Sequence, residues 1–198
     1  MTNPTNDPLD THIRLDLRDG RSVRVRHLRA TDAKLLETMF YQLSPETRWR
    51  RFFVPLDHVD PDFVRKGAKR LARIDPNREA ALVALSDEPD GEAAVAVSRY
   101  AALNTDATSV EASVVLRDDW QHVGLGLQMV DLLVQVALAH EVKHMVMLTH
   151  ADNLGMIHIV QHLGLPYHGH FSSGLYEIDV QLAAEEHPLF HFSGRKAE

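Results

Sequence analysis

The residues best suited to chemistry lie in a short glycine turn that joins a strand-like run to an apolar, helix-like run. This glycine turn consists of Gln121, His122, Val123, Gly124, Leu125 and Gly126. The first backbone N–H groups of a helix lack intrahelical acceptors and carry the positive end of the helix dipole, so they can bind an anion. Gly124 and Gly126 have no side chain to obstruct that approach. The spacing therefore predicts that the turn holds a pyrophosphate.

Two familiar phosphate-binding motifs do not match the glycine turn. A dinucleotide-binding loop needs a third glycine, and Met129 stands at that position. A Walker loop needs Gly-Lys-Ser or Gly-Lys-Thr, and neither tripeptide occurs in the chain. Two glycines by themselves also fit a plain structural turn into a helix. The neighbouring segments therefore have to distinguish an anion-binding turn from a purely structural one.

Histidines suggest a second chemistry, because the chain has 13 of them. Residues 140–144 match the zinc signature His-Glu-x-x-His, which requires both histidines on one face of a helix. Residues 145–148 look like a strand, so we expect His144 to lie beyond the helix end. Four later histidines have metal-like spacing but are expected to be solvated or partly buried, with no metal bound: His158, His162, His168 and His170.

The elements around the turn follow a mixed α/β order. Hairpins are predicted at both ends, over residues 13–26 and 167–180. Proline and capping signals predict helices that begin at Thr31 or Asp32, near Pro45 and at Pro61. Further helices are predicted after the glycine turn and over residues 157–163. Apolar runs predict strands at residues 80–85, 93–99, 110–116 and 145–149.

The composition predicts one soluble domain. A chain of 198 residues that is 44% hydrophobic and 25% charged can bury a single core. No apolar run is long enough to span a bilayer and no signal-like leader is present, so we expect no membrane association and a cytoplasmic location. The absence of cysteine excludes disulfides and thiolate chemistry. A net charge of −7 argues against general nucleic-acid binding and suits a basic target such as lysine.

Four segments in a shared order resemble the GNAT N-acetyltransferases. The glycine turn resembles their acetyl-CoA-binding motif, and the segment from Asn153 to Leu165 resembles the helix after their fifth strand. Residues 23–33 look like their first strand and first helix. Residues 43–53 are similar to the bacterial protein lysine acetyltransferase (Pat-like) branch, which acetylates acyl-CoA synthetases. The resemblance implies an α/β GNAT fold over residues 12–182, with a mixed, mainly antiparallel sheet flanked by helices.

The resemblance also implies a reaction and its residues. Acetyl-CoA would be the cosubstrate, and a lysine amine must lose its proton before attack, so a base is required. Glu111 matches the general base of the Pat-like enzymes, and we expect it to be partly buried in an otherwise apolar strand. The residues implied to bind acetyl-CoA, through backbone groups in the strand and the turn, are Ser113, Val114, Val115, Leu116, Gln121, His122, Val123, Gly124, Leu125, Gly126 and Asn153.

Two departures from the family pattern affect this site. Val160 stands where many members carry the tyrosine that reprotonates the leaving thiolate, so water or another group must donate that proton. His122 and Val123 replace the usual small and basic residues, so the turn lacks the positive charge that is usual in the family.

The sequence is compatible with several functions. The acceptor is a protein lysine, as on an acyl-CoA synthetase, or a small amine. The chain could instead be a non-catalytic acyl-CoA-binding regulatory module, and a metal-dependent hydrolase is a distant third. Interleaved arginines and aromatics over residues 48–53 fit nucleic-acid stacking. Their helical spacing instead predicts that Trp49, Phe52 and Phe53 pack on the core while the arginines face water or line the acceptor cleft.

The predicted boundaries are a flexible leader over residues 1–11, the GNAT domain over residues 12–182 and a C-terminal tail over residues 183–198. The tail contains the sequence Pro-Leu-Phe-His-Phe and exceeds what the fold needs. We expect it to dock on a partner subunit, which would make the protein a homodimer.

Overall fold

The computed structural model describes residues 12–182, so the predicted leader and tail lie outside the described residues. These residues form one eight-stranded sheet with the order β1-β2-β3-β4-β5-β6-β8-β7. The strands are β1 (Ile13–Asp16), β2 (Ser22–His27), β3 (Glu79–Glu88), β4 (Gly91–Ala102), β5 (Ser109–Leu116), β6 (His144–Thr149), β7 (Tyr167–Ser172) and β8 (Leu175–Gln181). The helices are α1 (Ala33–Gln42), α2 (Pro45–Phe52), α3 (Pro61–Ala72), α4 (Leu125–Ala139) and α5 (Leu154–His162).

The sheet is antiparallel except where β5 meets β6. These two strands pair in parallel from Ser109↔His144 to Ala112↔Met147. Beyond that point β5 stays paired with β4 as far as Leu116, and β6 stays paired with β8 as far as Thr149. The two strands therefore separate in the middle of the sheet, and a gap opens between their carboxyl ends.

The two faces of the sheet have separate cores. On one face α4 and α5 pack on the sheet, and the even-numbered β5 residues from Val110 to Leu116 belong to this larger core. On the other face α1 packs on β3 and β4, and Val115 joins that smaller core. Because side chains alternate along a strand, Glu111 and Ser113 lie on the same face as Val115. This face is also the side of α2 and α3.

A buried ion pair fixes the entry to α1. Two hydrogen bonds of 2.6 and 3.0 Å join the Arg26 guanidinium to the Asp32 carboxylate, and both residues are buried. The same carboxylate accepts a 2.7 Å hydrogen bond from the Arg29 backbone N–H. Asp32 was one of two predicted caps for α1, but its side chain makes no cap hydrogen bond to that helix. It anchors the chain to β2 instead.

The helix α2 begins as predicted and packs differently from the prediction. Proline occupies its first turn, and the Ser44 hydroxyl accepts a 3.1 Å hydrogen bond from the Thr47 N–H. The prediction that Trp49, Phe52 and Phe53 pack on the core is wrong, because α2 has no buried residue. Trp49 is 40% exposed and stacks on His150, with ring centroids 3.8 Å apart. The helix lies at the rim of the gap, where only one of its sides meets the protein.

The remaining elements follow the predicted order, including both hairpins. The helix α4 ends at Ala139 and His144 begins β6, so the two histidines of the zinc signature do not share a helix, as predicted. Within residues 12–182, no group of three or more histidine, aspartate or glutamate side chains is placed to hold a metal ion.

Candidate active site

The gap between β5 and β6 opens into a cleft of about 560 Å³, called here the main cleft. Its walls come from α2, from the free edge of β5, from the glycine turn and from the start of α5. Arg18, from the β1–β2 hairpin, closes one end. The cleft exists because the parallel pairing stops at Ala112↔Met147 while both strands continue.

The main cleft brings together nearly all of the predicted catalytic and acetyl-CoA-binding residues. All of them line it except Val123 and Leu125. Leu125 is fully buried in the larger core, and Val123 packs against that core. The Val123 carbonyl accepts a 3.2 Å hydrogen bond from the Arg18 backbone N–H. These two residues can therefore offer only backbone groups to a ligand in the cleft.

The glycine turn has the backbone geometry that an anion site requires. Gly124 has a φ of +89°, in the left-handed region that glycine tolerates best, and it directly precedes the first residue of α4. A Cβ on Gly126 would lie 3.1 Å from Ile159 Cδ1, so a side chain there would fill the floor of the cleft. The first N–H groups of the 15-residue α4 have no intrahelical acceptor. They therefore offer donors and a positive dipole end to a ligand.

Asp118 ties the glycine turn to α2. Its carboxylate accepts hydrogen bonds from the Ser44 N–H at 2.8 Å, the Ser44 hydroxyl at 2.7 Å and the Thr47 hydroxyl at 2.7 Å. Partial burial alone would raise the pKa of Asp118, but these hydrogen bonds outweigh it and lower the pKa. Gln121 adds a 3.3 Å contact from its amide to Thr47 Oγ1 and a 3.4 Å contact to the Leu116 carbonyl. These hydrogen bonds therefore link α2 to the segment that carries the glycine turn.

The free edge of β5 gives the main cleft a row of backbone groups. Over residues 113–116 the strand pairs with β4, from Arg99↔Ser113 to Ala96↔Leu116. Its other edge faces the gap, where no described strand pairs with it. Backbone N–H and C=O groups on such an edge can hydrogen-bond an extended, amide-bearing chain.

Glu111 lies at the near end of this edge, and its surroundings differ from the prediction. The side chain is exposed, so the expected partial burial is wrong. The backbone of Glu111 is paired on both sides, with Ala101 of β4 and Val146 of β6. Its side chain is exposed because α2, which buries none of its own residues, does not cover this part of the sheet face. Of the other carboxylates that line the main cleft, Glu46 pairs with Arg50 at 2.9 Å and Asp118 is held as described. Glu111 alone among them has no hydrogen-bond or ion-pair partner within residues 12–182.

Arg51 faces Glu111 across the cleft wall. Burial lowers the pKa of Arg51 to about 10, and the charge of Arg99 lowers it further while Glu111 raises it. The guanidinium stays charged at neutral pH and stacks over Phe52, with 5.4 Å from Cζ to the ring centroid. It makes no hydrogen bond or ion pair with any described residue. The sequence predicts that the arginines of residues 48–53 face water or line the acceptor cleft. Arg50 and Arg51 line the main cleft, and its use by an acceptor stays a prediction.

Asn153 caps α5 while it lines the main cleft. Its side-chain oxygen accepts a 3.3 Å hydrogen bond from the Met156 N–H, and its amide donates a 2.8 Å hydrogen bond to Thr149 Oγ1. One N–H and one lone pair of this side chain remain for a ligand. Val160 is buried in the larger core and does not reach the cleft, and no tyrosine lines the described part of it.

Arg18 is the cleft residue that sequence reasoning missed. A Cβ on Gly124 would lie 3.3 Å from Arg18 Nε, so the arginine side chain lies directly against the glycine turn. Its guanidinium makes no hydrogen bond or ion pair with any described residue. The positive charge that the turn lacks in sequence is thus supplied from another element. No local signal marks Arg18, because it sits in an ordinary hairpin far from the turn along the chain.

Comparison with known proteins agrees with this architecture. Residues 22–166 match the family model described as "Acetyltransferase (GNAT) domain". The chain belongs to the GNAT acetyltransferase family. Acetyltransferase PA5475 of Pseudomonas aeruginosa is 34% identical over 141 residues, which cover 71% of this chain and 73% of that protein.

Two solved structures share the fold of this GNAT acetyltransferase. The GNAT domain of S. lividans PAT has a TM-score of 0.75 at 22% identity, covering 86% of this chain and 97% of that one. The protein yncA of Salmonella typhimurium, solved with its cofactor acetyl-CoA, has a TM-score of 0.56 at 18% identity, covering 83% and 95%.

Membership of the GNAT acetyltransferase family gives acetyl-CoA as the cosubstrate. The residues of the main cleft fit such a ligand, because within residues 12–182 the cleft combines an unpaired strand edge, a glycine turn at a helix N-terminus and an arginine side chain without a hydrogen-bond or ion-pair partner. No helix within residues 12–182 is long and apolar enough to cross a membrane.

Proposed function

We propose that this GNAT acetyltransferase acetylates a primary amine, with a protein lysine side chain as the acceptor and Glu111 as the general base. The observation that carries the proposal is the state of the cleft carboxylates. Glu46 and Asp118 are already engaged, whereas Glu111 is exposed and has no hydrogen-bond or ion-pair partner among the described residues. A base needs an accessible carboxylate within reach of the arriving ammonium.

In this proposal acetyl-CoA lies in the main cleft in an extended form. The amide groups of the pantetheine arm pair with the free edge of β5 over residues 113–116, and Asn153 adds a hydrogen bond from the opposite wall. The diphosphate meets the N–H groups of the glycine turn, from Gln121 to Gly126, at the start of α4. The guanidinium of Arg18 then lies against the same turn and supplies the charge that His122 does not.

The reaction follows from that placement as a direct transfer. The acceptor ammonium gives its proton to the Glu111 carboxylate, and the amine nitrogen then attacks the thioester carbon. A backbone N–H of β5 donates to the carbonyl oxygen as negative charge develops there. The new C–N bond forms, and the nitrogen, which is positively charged after the attack, gives up its second proton to water. The C–S bond breaks, and the CoA thiolate takes a proton from water, so that the products are the amide and the free thiol. Water serves as the acid because Val160 is buried and no tyrosine lines the described cleft.

A lysine acceptor is supported by three features. Residues 43–53 are similar to the Pat-like branch, and the fold matches the GNAT domain of S. lividans PAT. The carboxylate of Glu111 is exposed, so a long side chain can reach it from a protein surface. The net charge of −7 favours the approach of a basic target.

A small amine is the second candidate acceptor. It is favoured by a separate cavity beside Arg51, which has the size of a small-molecule site and is described below.

The test is Glu111→Gln, assayed with acetyl-CoA and a lysine peptide by release of free thiol. We expect turnover to fall by about 10²- to 10⁴-fold while calorimetry shows acetyl-CoA binding retained. The matched control is Glu46→Gln, which removes a carboxylate from the same cleft and should leave turnover within about threefold, since Glu46 pairs with Arg50 at an exposed site. Equal turnover in wild type and Glu111→Gln would remove Glu111 as the base.

A further inference from the structure

A second cavity of about 260 Å³ lies beside the main cleft, beneath α1, α2 and α3. Most of its wall is apolar, with Phe40, Phe52 and Phe63 among its members. Its charged members are Arg51, Arg70 and Arg99, and none of the acidic residues in the described part of the chain lines it. We call this cavity the arginine pocket. An apolar pocket with convergent cations has the lining of a site for an apolar anion.

The three arginines are short of negative partners. Arg99 lies 3.2 Å from the Glu79 carboxylate and 3.4 Å from the Leu71 carbonyl. Arg51 and Arg70 make no hydrogen bond or ion pair with any described residue. Burial lowers the pKa of Arg99, Glu79 raises it, and the nearby charge of Arg70 lowers it. Arg70 is exposed to solvent, so the two less exposed guanidinium groups are those of Arg51 and Arg99, and of these only Arg99 has a carboxylate in ion-pair contact among the described residues.

Arg51 is the pocket arginine whose positive charge is least compensated by its surroundings. Its contact is with the Phe52 ring, and both burial and the charge of Arg99 disfavour its positive form. A charge in apolar surroundings is unfavourable unless it is paired. The exposed Glu111 carboxylate reaches Arg51 only through a long-range attraction. An incoming anion would offset the charge where the protein does not.

The arginine pocket adjoins the position proposed for the reaction. Arg51 and Val115 line both cavities. Glu111, Ser113 and Val115 share one face of β5, and Arg99 of β4 is the direct neighbour of Ser113 in the sheet. If the acceptor amine lies at Glu111, the rest of the acceptor molecule would extend past Arg51 into the arginine pocket.

We propose that the arginine pocket holds the part of the acceptor next to its amine, and that this part is an apolar group bearing a carboxylate. The carboxylate lies on Arg51 and Arg99, and the apolar portion packs among the phenylalanine rings. This inference rests on the proposed function for the position of the amine. Two sources have this chemistry: a free amine that carries an apolar acid, and a lysine segment with apolar and acidic neighbours.

The first experiment measures binding without turnover. Calorimetry compares 4-phenylbutanoate with 4-phenylbutanamide on wild type, Arg51→Gln, Arg51→Lys and Arg65→Gln. We expect wild type to bind the acid about tenfold more tightly than the amide, Arg51→Gln to show no difference, and Arg51→Lys to keep part of it. Arg65→Gln removes an exposed α3 charge outside the pocket and should match wild type. Equal binding of acid and amide by folded wild type would overturn the proposal.

The second experiment identifies the source through turnover. Its small-molecule arm compares 4-(aminomethyl)benzoate with 4-(aminomethyl)benzamide, and its peptide arm compares Lys-Phe-Glu with Lys-Phe-Gln segments. We expect kcat/KM for the acid to be about tenfold higher in the arm that matches the true acceptor, and Arg51→Gln to abolish that preference. A preference that survives in Arg51→Gln would overturn the proposal. So would a preference for succinyl-CoA over acetyl-CoA that depends on Arg51, because it would assign the pocket to the acyl group.

The two experiments separate this inference from the proposed function. Lysine acetylation without any carboxylate effect would remove the arginine pocket and leave the function intact. Binding of the acid through Arg51 without acetylation of any amine would remove the proposed function and leave an anion site.

Discussion

Arg26 and Arg51 lie on the same face of the sheet, yet their surroundings are opposite. Arg26 is buried and fully engaged, with two hydrogen bonds to Asp32 and one to a backbone carbonyl. Arg51 lies between two cavities and has no hydrogen bond or ion pair among the described residues. A paired internal charge holds elements together, whereas an unpaired one is available to a ligand. We infer that the first region serves the fold and the second serves binding.

The largest expected effect concerns the paired region. Asp32→Asn removes the carboxylate that is hydrogen-bonded to the buried Arg26 and leaves only Glu92, at 3.9 Å, as a negative partner. We therefore expect the free energy of unfolding in urea to fall by about 3 kcal/mol. The control is Asp87→Asn, because Asp87 pairs with Arg24 in an exposed position and its loss should change little. Similar stability in the two variants would mean that the buried pair contributes no more than a surface pair.

The same carboxylate gives this region a pH dependence. Burial would raise the pKa of Asp32, but hydrogen bonds from Arg26 and Arg29 outweigh it and lower the pKa. A folded-state pKa below the unfolded value of about 3.9 stabilises the protein above that pH. This stabilisation is lost as the pH falls through the lowered pKa. Urea unfolding between pH 7 and pH 2 should therefore show a shallower acid slope in Asp32→Asn than in wild type.

The next effect concerns affinity in the main cleft. Gly126→Val places its side chain against Ile159 and Leu116 at the floor of the cleft, where a bound diphosphate would lie. We expect acetyl-CoA binding by calorimetry to weaken at least about hundredfold with the fold retained, because Gly126 does not have a positive φ. The matched control is Gly67→Val on α3, which has open space around it and should bind acetyl-CoA like wild type. Equal binding by both variants would place the ligand elsewhere.

A smaller loss of affinity is expected from Arg18→Gln. Removal of this charge should weaken acetyl-CoA binding about tenfold, and the difference from wild type should shrink as salt is raised. Dephospho-CoA and pantetheine, measured beside acetyl-CoA, show which phosphate Arg18 contacts. An unchanged affinity for all three would leave Arg18 as a packing residue of the turn.

The smallest effect gives the sharpest contrast with Arg26. Arg51→Met removes a charge that makes no hydrogen bond or ion pair within residues 12–182, so we expect the free energy of unfolding to stay the same or to rise by about 1 kcal/mol. Urea unfolding next to Arg26→Met, which strands the Asp32 carboxylate, provides the comparison. A loss for Arg51→Met as large as that for Arg26→Met would make both arginines structural and end the distinction.

Local patterns were enough to predict the parts of the molecule that are built locally. The Asp19-Gly20 hairpin, the proline start of α2 and the glycine turn depend on the preferences of adjacent residues, and each is present as predicted. The grouping of Glu111, the glycine turn and Asn153 followed from the family resemblance, and these residues do line one cleft. Their roles in binding and catalysis stay predictions, as do the boundaries of the leader and the tail.

The features that sequence missed depend on contacts between distant segments. The exposure of Glu111 depends on how far α2 covers its face of the sheet, and no pattern within β5 records that extent. Trp49 has an amphipathic context that predicts core packing, but α2 lies on a rim and the ring stacks on His150 instead. Arg18 approaches Gly124, and three helices and two strands share the arginine pocket. Such juxtapositions are properties of the folded chain, so periodicity cannot reveal them.

The free edge of β5 also bears on aggregation. An unpaired strand edge is a template on which another chain can add a strand, and proteins usually block such edges. In this molecule the edge over residues 113–116 lies in the interior of the sheet, recessed between α2 and α5. Because α2 and α5 flank the edge, we expect it to admit a single extended chain but not the edge strand of another sheet. The recess would then protect the molecule from self-association without any charged or proline residue on the edge itself.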